Sequence, residues 1–441
     1  GYTESLGNRL FDLMEKFAEY GFNKSHTAAY AVITYQTAWL KVHHTAAFFA
    51  ATLTSEINDT DRICLLVKDA ESNGISLLTP DVNESAYNFE AIISDDKFEN
   101  SNSNIKCIRY GLGAIKGVGE AAISHLIEIR KNKKFEDFFD FCCRVDHKLI
   151  NKKAFESLVA SGAADSLIKN DKLNRKEVLE GLDQFLMLAN QILAEKNQSS
   201  LFSDELSRES VKVGFVKKNY FPEREKLLLE KAALGFCFSK HLFSLIAEEA
   251  KRYMKNSLRN LRPSDEPYWV HGIVMSVRKQ MSRKGPIHIM RIEDNVASVD
   301  ITVFNDLQEK FKSEIHEDHY LATLIKAEFD EYSGGTRLVA QDFLSLSGVR
   351  MKYLKELELE ICDDMIEAEN VKNTIQKLRR LLSSKNQNSK YLIPVCFKLN
   401  LGSLTCRAKL SKSWRIEATD CLIDDIRSFL GENSVKFFYR D

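Results

Sequence analysis

Apolar residues across positions 10–57 recur at intervals of three and four, the period of a helix that buries one face. Gly21 interrupts the first run, and polar residues that favour the first position of a helix stand before the next two. These predicted N-caps are Asn23 or Ser25, and then Thr45. The pattern predicts three helices joined by tight turns, followed by a fourth at about 60–74.

Short helices separated by glycine turns are predicted between residues 105 and 167. The first turn, at residues 115–119, reads IKGVG and leads into an apolar helix. The second turn, at residues 161–163, reads SGA and ends another apolar run. We therefore expect two similar helix-turn-helix units in tandem.

Alternation of apolar and polar residues, the period of a β-strand, takes over at residues 268–346. Five short strands are predicted there, with one helical stretch at residues 307–315 after the third strand. This order is that of an OB-fold barrel. Residues 350–441 mix two helical runs with strand runs. The chain is thus predicted to be multidomain and mostly α at first, followed by a β-barrel OB-fold and a small α+β domain.

Composition narrows the function classes. The 441 residues suit about two to four domains. Because 62 Lys+Arg stand against 63 Asp+Glu, any affinity for phosphate must come from local clusters. No apolar run reaches the roughly 18 residues of a membrane span, and the nine cysteines lack metal-binding spacing. We expect neither a membrane segment nor a metal site, and we expect reduced cysteines in the cytoplasm.

Glycines in residues 115–119 allow positive φ angles and close backbone approach, so amides opening the next helix can point at a DNA phosphate. An ordinary helix cap would contain the same glycines. Charge favours DNA binding, because residues 104–153 hold 11 Lys+Arg against 6 Asp+Glu. The predicted DNA-binding residues are Lys116, Gly117, Val118, Gly119, Lys152 and Lys153.

The barrel carries a second candidate site, in the loop between its first two predicted strands, where OB-folds often hold single strands. Its basic residues are Arg278, Lys279, Arg283 and Lys284. Arg291 and stacking on Tyr268 or Trp269 would add to it. Residues 268–348 nevertheless hold 9 basic against 12 acidic residues, so a purely structural barrel stays open as the alternative.

Residues 171–232 are predicted to be helical and charged, apart from a polar interruption around one apolar pair. The pair, Leu201 and Phe202, follows Gln198 within the sequence QSSLF. Such a pair usually packs into its own core. Here the polar flanks favour a hydrophobic groove on a partner, with Gln198 fixing the register through hydrogen bonds.

Lys24 and His26 stand at the predicted start of the second helix, where a cation and backbone amides can meet a triphosphate. On spacing alone, a capping turn with a solvated lysine is the better interpretation. The sequence shows no cluster of strand aspartates able to hold two Mg²⁺ ions. No catalytic residue and no metal ligand is therefore assigned.

Two runs near the start of the chain carry a family resemblance. Residues 17–31 read FAEYGFNKSHTAAYA, and residues 35–41 read YQTAWLK. They resemble the fingers of the bacterial C-family replicative DNA polymerases, the DNA polymerase III alpha subunits. The order of the later elements is similar too. The resemblance covers essentially the whole chain and implies the C-terminal portion of such a subunit.

The resemblance implies five regions. They are a fingers region at 1–103, a tandem helix-hairpin-helix domain at 104–185, a helical connector at 186–260 with a sliding-clamp peptide at 198–202, an OB-fold at 261–348 and a C-terminal α+β domain at 349–441. In this family the palm, which bears the catalytic aspartates, lies N-terminal to the fingers. The intact enzyme is a DNA-directed DNA polymerase, a nucleotidyltransferase, whereas this segment alone is expected to be inactive.

The resemblance also implies roles for the predicted site residues. Lys24 and His26 would contact the incoming nucleotide, and the hairpins would hold primer-template duplex. Gln198, Leu201 and Phe202 would bind the sliding clamp (beta). The barrel would lie near single-stranded DNA, and the last domain would contact the clamp-loader tau subunit. Mg²⁺ and deoxynucleoside triphosphates serve the intact polymerase, and the proofreading epsilon subunit would bind only N-terminal to this segment.

Two other classes stay open. The same modules suit a non-catalytic DNA-binding scaffold, and the lack of a palm favours it. An OB-containing RNA-binding protein, such as an anticodon-binding module, is the other, but it leaves the fingers-like runs and the clamp-like peptide unexplained. Binding to duplex DNA against structured RNA at matched salt separates these two.

Overall fold

The computed structural model describes most of the chain. The described residues are 3–19, 24–93, 106–170, 173–197, 221–253, 256–282, 285–330, 335–361, 371–383, 392–401, 404–431 and 434–440. The chain divides into two compact units, and each is discontinuous in sequence. They are Gly1–Phe215 with Glu230–Phe236, and Val216–Leu229 with Cys237–Asp441.

The first unit opens with four helices, as the apolar periodicity predicts. They are α1 (Glu4–Glu19), α2 (Lys24–His43), α3 (Thr45–Ser55) and α4 (Thr60–Ser72). The predicted cap of α3 is wrong, because His44 occupies the N-cap and Thr45 is the first helical residue. Asp59 caps α4 through its side chain. Asn23 lies outside the described residues, and Ser25 lies inside α2.

A three-stranded sheet follows, which the sequence pattern did not predict. Its strands are β1 (Ser76–Leu78), β2 (Glu90–Ile93) and β3 (Lys106–Arg109), in the order β1-β3-β2. The central strand is parallel to β1 and antiparallel to β2. Because each strand has only three or four residues, alternation along the chain is too short to mark it.

Five more helices surround the two glycine turns. They are α5 (Glu120–Asn132), α6 (Phe138–Arg144), α7 (Lys152–Ala160), α8 (Asp165–Asn170) and α9 (Arg175–Asn197). Phe138, Phe141 and Phe155 are fully buried, and their ring centroids lie 5.2 to 6.4 Å apart. This aromatic cluster packs α6 against α7 and so supports the scaffold that carries both turns.

The second unit contains two short helices before a barrel. Helix α10 (Glu223–Leu234) contributes its residues up to Leu229 to this unit and those from Glu230 onward to the first. Helix α11 (Ala247–Ala250) follows.

Five strands close into a barrel in the order β4-β5-β6-β8-β7. They are β4 (Tyr268–Ser282), β5 (Gly285–Glu293), β6 (Ser298–Phe304), β7 (Tyr320–Asp330) and β8 (Gly335–Ser345). Helix α12 (Asn305–Lys310) lies between the third and fourth strands, where the pattern predicts a helix. Val270, Val274 and Ile301 are fully buried in the barrel core, as the alternation predicts.

The last part of the second unit is a four-stranded sheet covered by helices. After α13 (Leu346–Tyr353) the elements are β9 (Leu354–Ile361), α14 (Val371–Ser383), β10 (Val395–Leu401), β11 (Leu404–Lys409), α15 (Asp420–Leu430) and β12 (Val435–Tyr439), and the strand order is β11-β10-β9-β12. Leu357 and Leu359 of β9 lie in the core with residues of α14 and α15. Alternate residues of β9 are charged, and Glu360 binds Lys398 at 2.9 Å and Lys436 at 2.6 Å.

Candidate nucleic-acid interface

The first glycine turn, residues 115–119, leads into α5, and we call it the first hairpin. Gly117 has a φ of +85°, a conformation that glycine adopts readily because it lacks a Cβ atom. Gly119 is the extended N-cap of α5, and no protein atom lies within 4 Å of the position that its Cβ would take. Val118 is buried with 8% exposure, and its N–H donates to the carbonyl of Ile115 at 3.4 Å, so its contact with DNA stays a prediction.

Two backbone N–H groups of the first hairpin are open. Within the described ranges, neither Gly117 nor Gly119 donates its N–H to a protein acceptor, whereas Lys116 donates its own to the carbonyl of Ala233 at 2.9 Å. N–H groups at the start of a helix carry partial positive charge and bind anions. The first hairpin therefore presents two donors and the N-terminus of a thirteen-residue helix to one region of solvent.

Lysines flank these donors. Lys116 is exposed, and the side chain of exposed Lys153 passes beside the turn, with its Cε 3.7 Å from the position of a Cβ on Gly117. Lys152 is instead paired with Asp183 at 2.7 Å, a hydrogen bond that raises the pKa of the lysine. Of the predicted lysines, Lys116 and Lys153 thus lie at the hairpin with charges available to an anion.

The second glycine turn, residues 161–163 between α7 and α8, repeats the backbone of the first, and we call it the second hairpin. Gly162 also has a φ of +85°. Its surroundings differ, because the guanidinium of Arg175 lies against it and binds Asp165 and Glu230. Burial alone would lower the pKa of Arg175, but the hydrogen bonds and charges of these two carboxylates raise it above its ordinary value.

No sequence pattern predicts this cluster. Arg175, Asp165 and Glu230 come from three different helices, and Glu230 is 55 residues from Arg175 in the chain. Their sequence neighbours are ordinary for charged helices. Only the folded arrangement brings the three groups together.

The predicted basic loop of the barrel is partly a strand. Arg278 and Lys279 lie within β4, because that strand continues to Ser282, and both side chains are exposed. The prediction that these two lie in the loop is therefore wrong. Arg283 and Lys284 lie outside the described residues.

The other barrel residues proposed for single-strand contact already have protein partners. Arg291 binds Asp300 through two hydrogen bonds of 2.6 and 2.7 Å, which raise the pKa of the arginine and lower that of the aspartate. The hydroxyl of Tyr268 donates to a backbone carbonyl at 2.9 Å, and the ammonium of Lys352 lies 5.3 Å from the Trp269 ring centroid. Arg278 and Lys279 are thus the better candidates on this barrel.

The remaining predicted site residues fall where side chains are not described. Lys24 begins α2 and His26 lies in its first turn, but the side chains of both are outside the described part of the structure. Residues 198–202, with Gln198, Leu201 and Phe202, also lie outside it.

Arg350 anchors a charge cluster inside the second unit. Arg350 is 2% exposed and binds Glu249 at 2.7 and 2.8 Å and Asp420 at 2.6 Å, while its guanidinium lies 4.7 Å from the Phe437 ring centroid. These contacts join α11, α13, α15 and β12. The cluster is a structural tie within this unit.

Within the described ranges, no group of three or more His, Cys, Asp and Glu side chains is placed to hold a metal ion. The eight cysteines of those ranges form no disulfide bonds with one another. Among the helices described above, none combines the length and the apolar character needed to cross a bilayer.

Known proteins match this chain over almost its whole length. A family model described as a helix-hairpin-helix motif matches residues 74–178, which contain both hairpins. DNA polymerase III subunit alpha of Pasteurella multocida (strain Pm70) is 34% identical over 448 residues, covering 100% of this chain and 37% of that protein. The subunits of Neisseria meningitidis serogroup A (34% over 439 residues) and Escherichia coli K12 (30% over 446 residues) each match 99% of this chain and 36% of their own length.

The chain therefore spans little more than a third of the length of the curated relatives it matches. Matches to solved structures are partial. Asparaginyl-tRNA synthetase from Pyrococcus horikoshii matches at 16% identity and a TM-score of 0.17, over 21% of this chain and 23% of that one. A likeness this low carries no fold assignment.

Proposed function

Because the chain corresponds over its whole length to the C-terminal portion of DNA polymerase III subunit alpha, we propose that it binds primer-template duplex during bacterial DNA replication. The resemblance inferred from residues 17–31 and 35–41 is confirmed by these matches. The helix-hairpin-helix match supports DNA as the partner. Template-directed synthesis is proposed for the complete polymerase, to which this chain would contribute binding.

The single observation that carries the proposal is the first hairpin. It combines the open N–H groups of Gly117 and Gly119 with the positive end of α5 and the exposed cations of Lys116 and Lys153. A phosphate bound there would accept hydrogen bonds that no protein group of the described ranges accepts. Because backbone groups make the contact, duplex is expected to bind without regard to sequence.

Gly119→Val tests the hairpin with little risk to the fold. The φ of −79° and ψ of 158° suit a β-branched residue, and no protein atom occupies the new side-chain position. The valine would occupy the space that a phosphate needs. We expect affinity for a fluorescein-labelled 20-base-pair duplex, measured by anisotropy, to fall about tenfold, the effect of losing roughly one charge-assisted hydrogen bond.

Glu120→Gln is the matched variant, and it should change duplex affinity in the opposite direction. Glu120 is exposed in the first turn of α5, beside the proposed phosphate position. Removing its charge should tighten duplex binding, most strongly at low salt. Duplex affinity that neither Gly119→Val nor Glu120→Gln changes would contradict the assignment of this hairpin.

We propose further that the barrel is an OB-fold that contacts single-stranded DNA weakly. The strand order, with a helix between the third and fourth strands, supports this. Replacing Arg278 and Lys279 together by Gln should weaken binding of an oligo-dT strand, whereas Lys312→Gln, also on the exposed barrel surface, serves as the control. Equal effects of the two variants would leave the barrel purely structural.

Docking to the sliding clamp is proposed from the sequence of residues 198–202 alone. Replacing both Leu201 and Phe202 by Ala should abolish binding to a bacterial sliding clamp in calorimetry while duplex affinity stays at the parent value. Ser203→Ala is the control in the same segment. Unchanged clamp affinity in the double variant would refute the assignment.

The remaining roles rest on the family. We propose that Lys24 and His26 contact the nucleotide in the complete enzyme, that the last domain contacts the tau subunit, and that the protein acts in the cytoplasm. We also propose that this chain alone adds no nucleotides, with Mg²⁺, deoxynucleoside triphosphates and the epsilon subunit serving the complete polymerase. Primer extension by this chain with Mg²⁺ and all four nucleotides would refute that statement.

A further inference from the structure

The two hairpins are alike in backbone but differ in every property that phosphate binding needs. Gly117 and Gly162 share the same φ of +85°, and the family match spans both turns. On sequence and backbone alone, either turn qualifies to hold a DNA strand. The distinction between them lies in their exposure, their hydrogen bonds and their charge.

Exposure separates the hairpins first. At the first hairpin Lys116, Gly117 and Gly119 are exposed. At the second, Ser161 is 2% exposed and Ala163 is 0% exposed, and Gly162 is buried between them. A phosphate has no route to the second turn while the chain is folded.

Three backbone N–H groups of the second hairpin already have protein acceptors, and Ala164, the counterpart of Gly119, is 0% exposed. The N–H of Gly162 donates to the carbonyl of Val159 at 3.1 Å, and that of Asp165 donates to Gly162 at 3.0 Å. The N–H of Ala163 donates to the hydroxyl of Ser161 at 3.4 Å. At the first hairpin the N–H of Gly117, the counterpart of Gly162, has no acceptor within the described ranges, whereas the N–H of Val118, the counterpart of Ala163, donates to the carbonyl of Ile115 at 3.4 Å.

An internal ion cluster occupies the place of a ligand at the second hairpin. The Nη2 atom of Arg175 would lie 2.4 Å from a Cβ on Gly162, so the guanidinium covers the turn. Arg175 binds both oxygens of Asp165 at 2.7 Å, binds Glu230 at 3.1 Å and donates to the carbonyl of Ala160 at 3.2 Å. Its single positive charge already faces two carboxylates, so none is left for a phosphate.

We infer that the DNA backbone is bound by the first hairpin alone, and that the second hairpin is an internal anchor that fastens the segment Glu230–Phe236 to the helices of the first unit. The inference rests on the proposed function, since it assigns duplex binding to one of two similar turns. The same segment reaches the first hairpin, where Ala233 accepts the N–H of Lys116 at 2.9 Å. One segment thus supports both turns, and only one of them faces solvent.

The test compares exposed lysines at the two hairpins. Lys116 and Lys153 lie at the first, and Lys169 lies on α8 directly after the second, exposed like the others. Each is replaced by Gln in the full chain, and duplex affinity is measured by anisotropy between 50 and 200 mM salt. Log affinity falls as log salt rises, and each lost phosphate contact makes this slope less steep by about 0.9. From 50 to 200 mM salt, the affinity of a variant that lacks one contact therefore falls by a factor about 3.5 times smaller than that of the parent.

We expect Lys116→Gln and Lys153→Gln to show a less steep salt dependence of duplex affinity, and Lys169→Gln to keep the salt dependence of the parent. A Lys169→Gln slope reduced as much as that of Lys116→Gln would overturn the inference and leave duplex binding by the motif intact. A parent chain that does not bind duplex, or slopes that none of the substitutions changes, would refute the proposed function itself. Circular dichroism of each variant confirms that the fold is retained.

Discussion

Removing the guanidinium that covers the second hairpin should open that part of the first unit. Arg175 is 4% exposed and Glu230 is 1% exposed, so Arg175→Met removes the guanidinium that binds the buried carboxylate of Glu230. Breaking a buried ion pair by removing one partner costs about 3 to 5 kcal/mol. Asp165 has a side chain 32% exposed, so water can solvate it after the change and its contribution is small.

The double variant Arg175→Met with Glu230→Leu separates charge from packing. Replacing a buried ion pair by apolar residues of similar volume is often close to neutral, so the double variant should regain most of the loss and lie within about 2 kcal/mol of the parent. The single variant Glu230→Leu should also destabilise, because it leaves Arg175 paired only with the half-solvated Asp165.

Native-state hydrogen exchange with mass spectrometry measures the effect locally. Peptides from α7 and α8 should exchange about 150-fold faster in Arg175→Met, the equivalent of about 3 kcal/mol, whereas peptides from β5 to β7 serve as the unchanged control. Exchange within threefold of the parent in the single variant would refute the argument. So would a double variant that exchanges as fast as Arg175→Met, because the buried carboxylate would then not be the cause.

Two further predictions concern other parts of the chain. Burial lowers the pKa of His271 to about 4 against an ordinary value of 6.5. Between these two values of pH, the imidazole is protonated in the unfolded chain but stays neutral in the folded barrel, so the folded state loses stability as the pH falls. Barrel stability should therefore fall by about 3 kcal/mol between pH 7 and pH 4, and His271→Asn should remove that part of the dependence. Urea unfolding is followed through the fluorescence of Trp269, with Trp39 and Trp414 replaced by Phe in both chains. An equal pH dependence in both chains would contradict the assignment. Gly235→Ala places a Cβ 1.9 Å from Cγ2 of Thr60 at a φ of +89° and should cost about 2 to 4 kcal/mol, read as faster exchange in α4; adding Thr60→Ser should recover the steric part, and no recovery would show that backbone strain alone is responsible.

The sequence predicted elements where periodicity runs over many residues. Helices α1 and α4 and the alternating strands of the barrel show it clearly, whereas β1 to β3 have three or four residues and leave no such pattern. The loop position predicted for Arg278 was wrong because β4 continues through a polar stretch to Ser282. Polar composition marks a loop only when no neighbouring strand supplies the hydrogen bonds, and here β5 supplies them.

The glycine turn of the candidate site could be predicted from the sequence, but the contacts that its residues make with the rest of the fold could not. The glycines of residues 115–119 marked the first hairpin, because positive φ favours one residue type. Nothing in the sequence showed that Lys152 pairs with Asp183, or that the similar turn at residues 161–163 is covered. Those outcomes depend on contacts between residues 31 to 55 positions apart, such as Lys152 with Asp183 and Arg175 with Glu230, which only the fold determines.

Because Glu230–Phe236 belongs to the first unit, that unit cannot complete its fold on the ribosome until this segment has been synthesised. Arg175 is synthesised 55 residues before Glu230, which at about 5 to 20 residues per second is a delay of roughly 3 to 11 s. During that interval the nascent hairpin helices hold a guanidinium with one of its two carboxylates and lack the carbonyl that receives the N–H of Lys116. The first unit therefore cannot complete its fold until Glu230–Phe236 has been translated. Because the clamp-like peptide precedes this segment, the peptide is already part of the nascent chain when the first unit completes its fold.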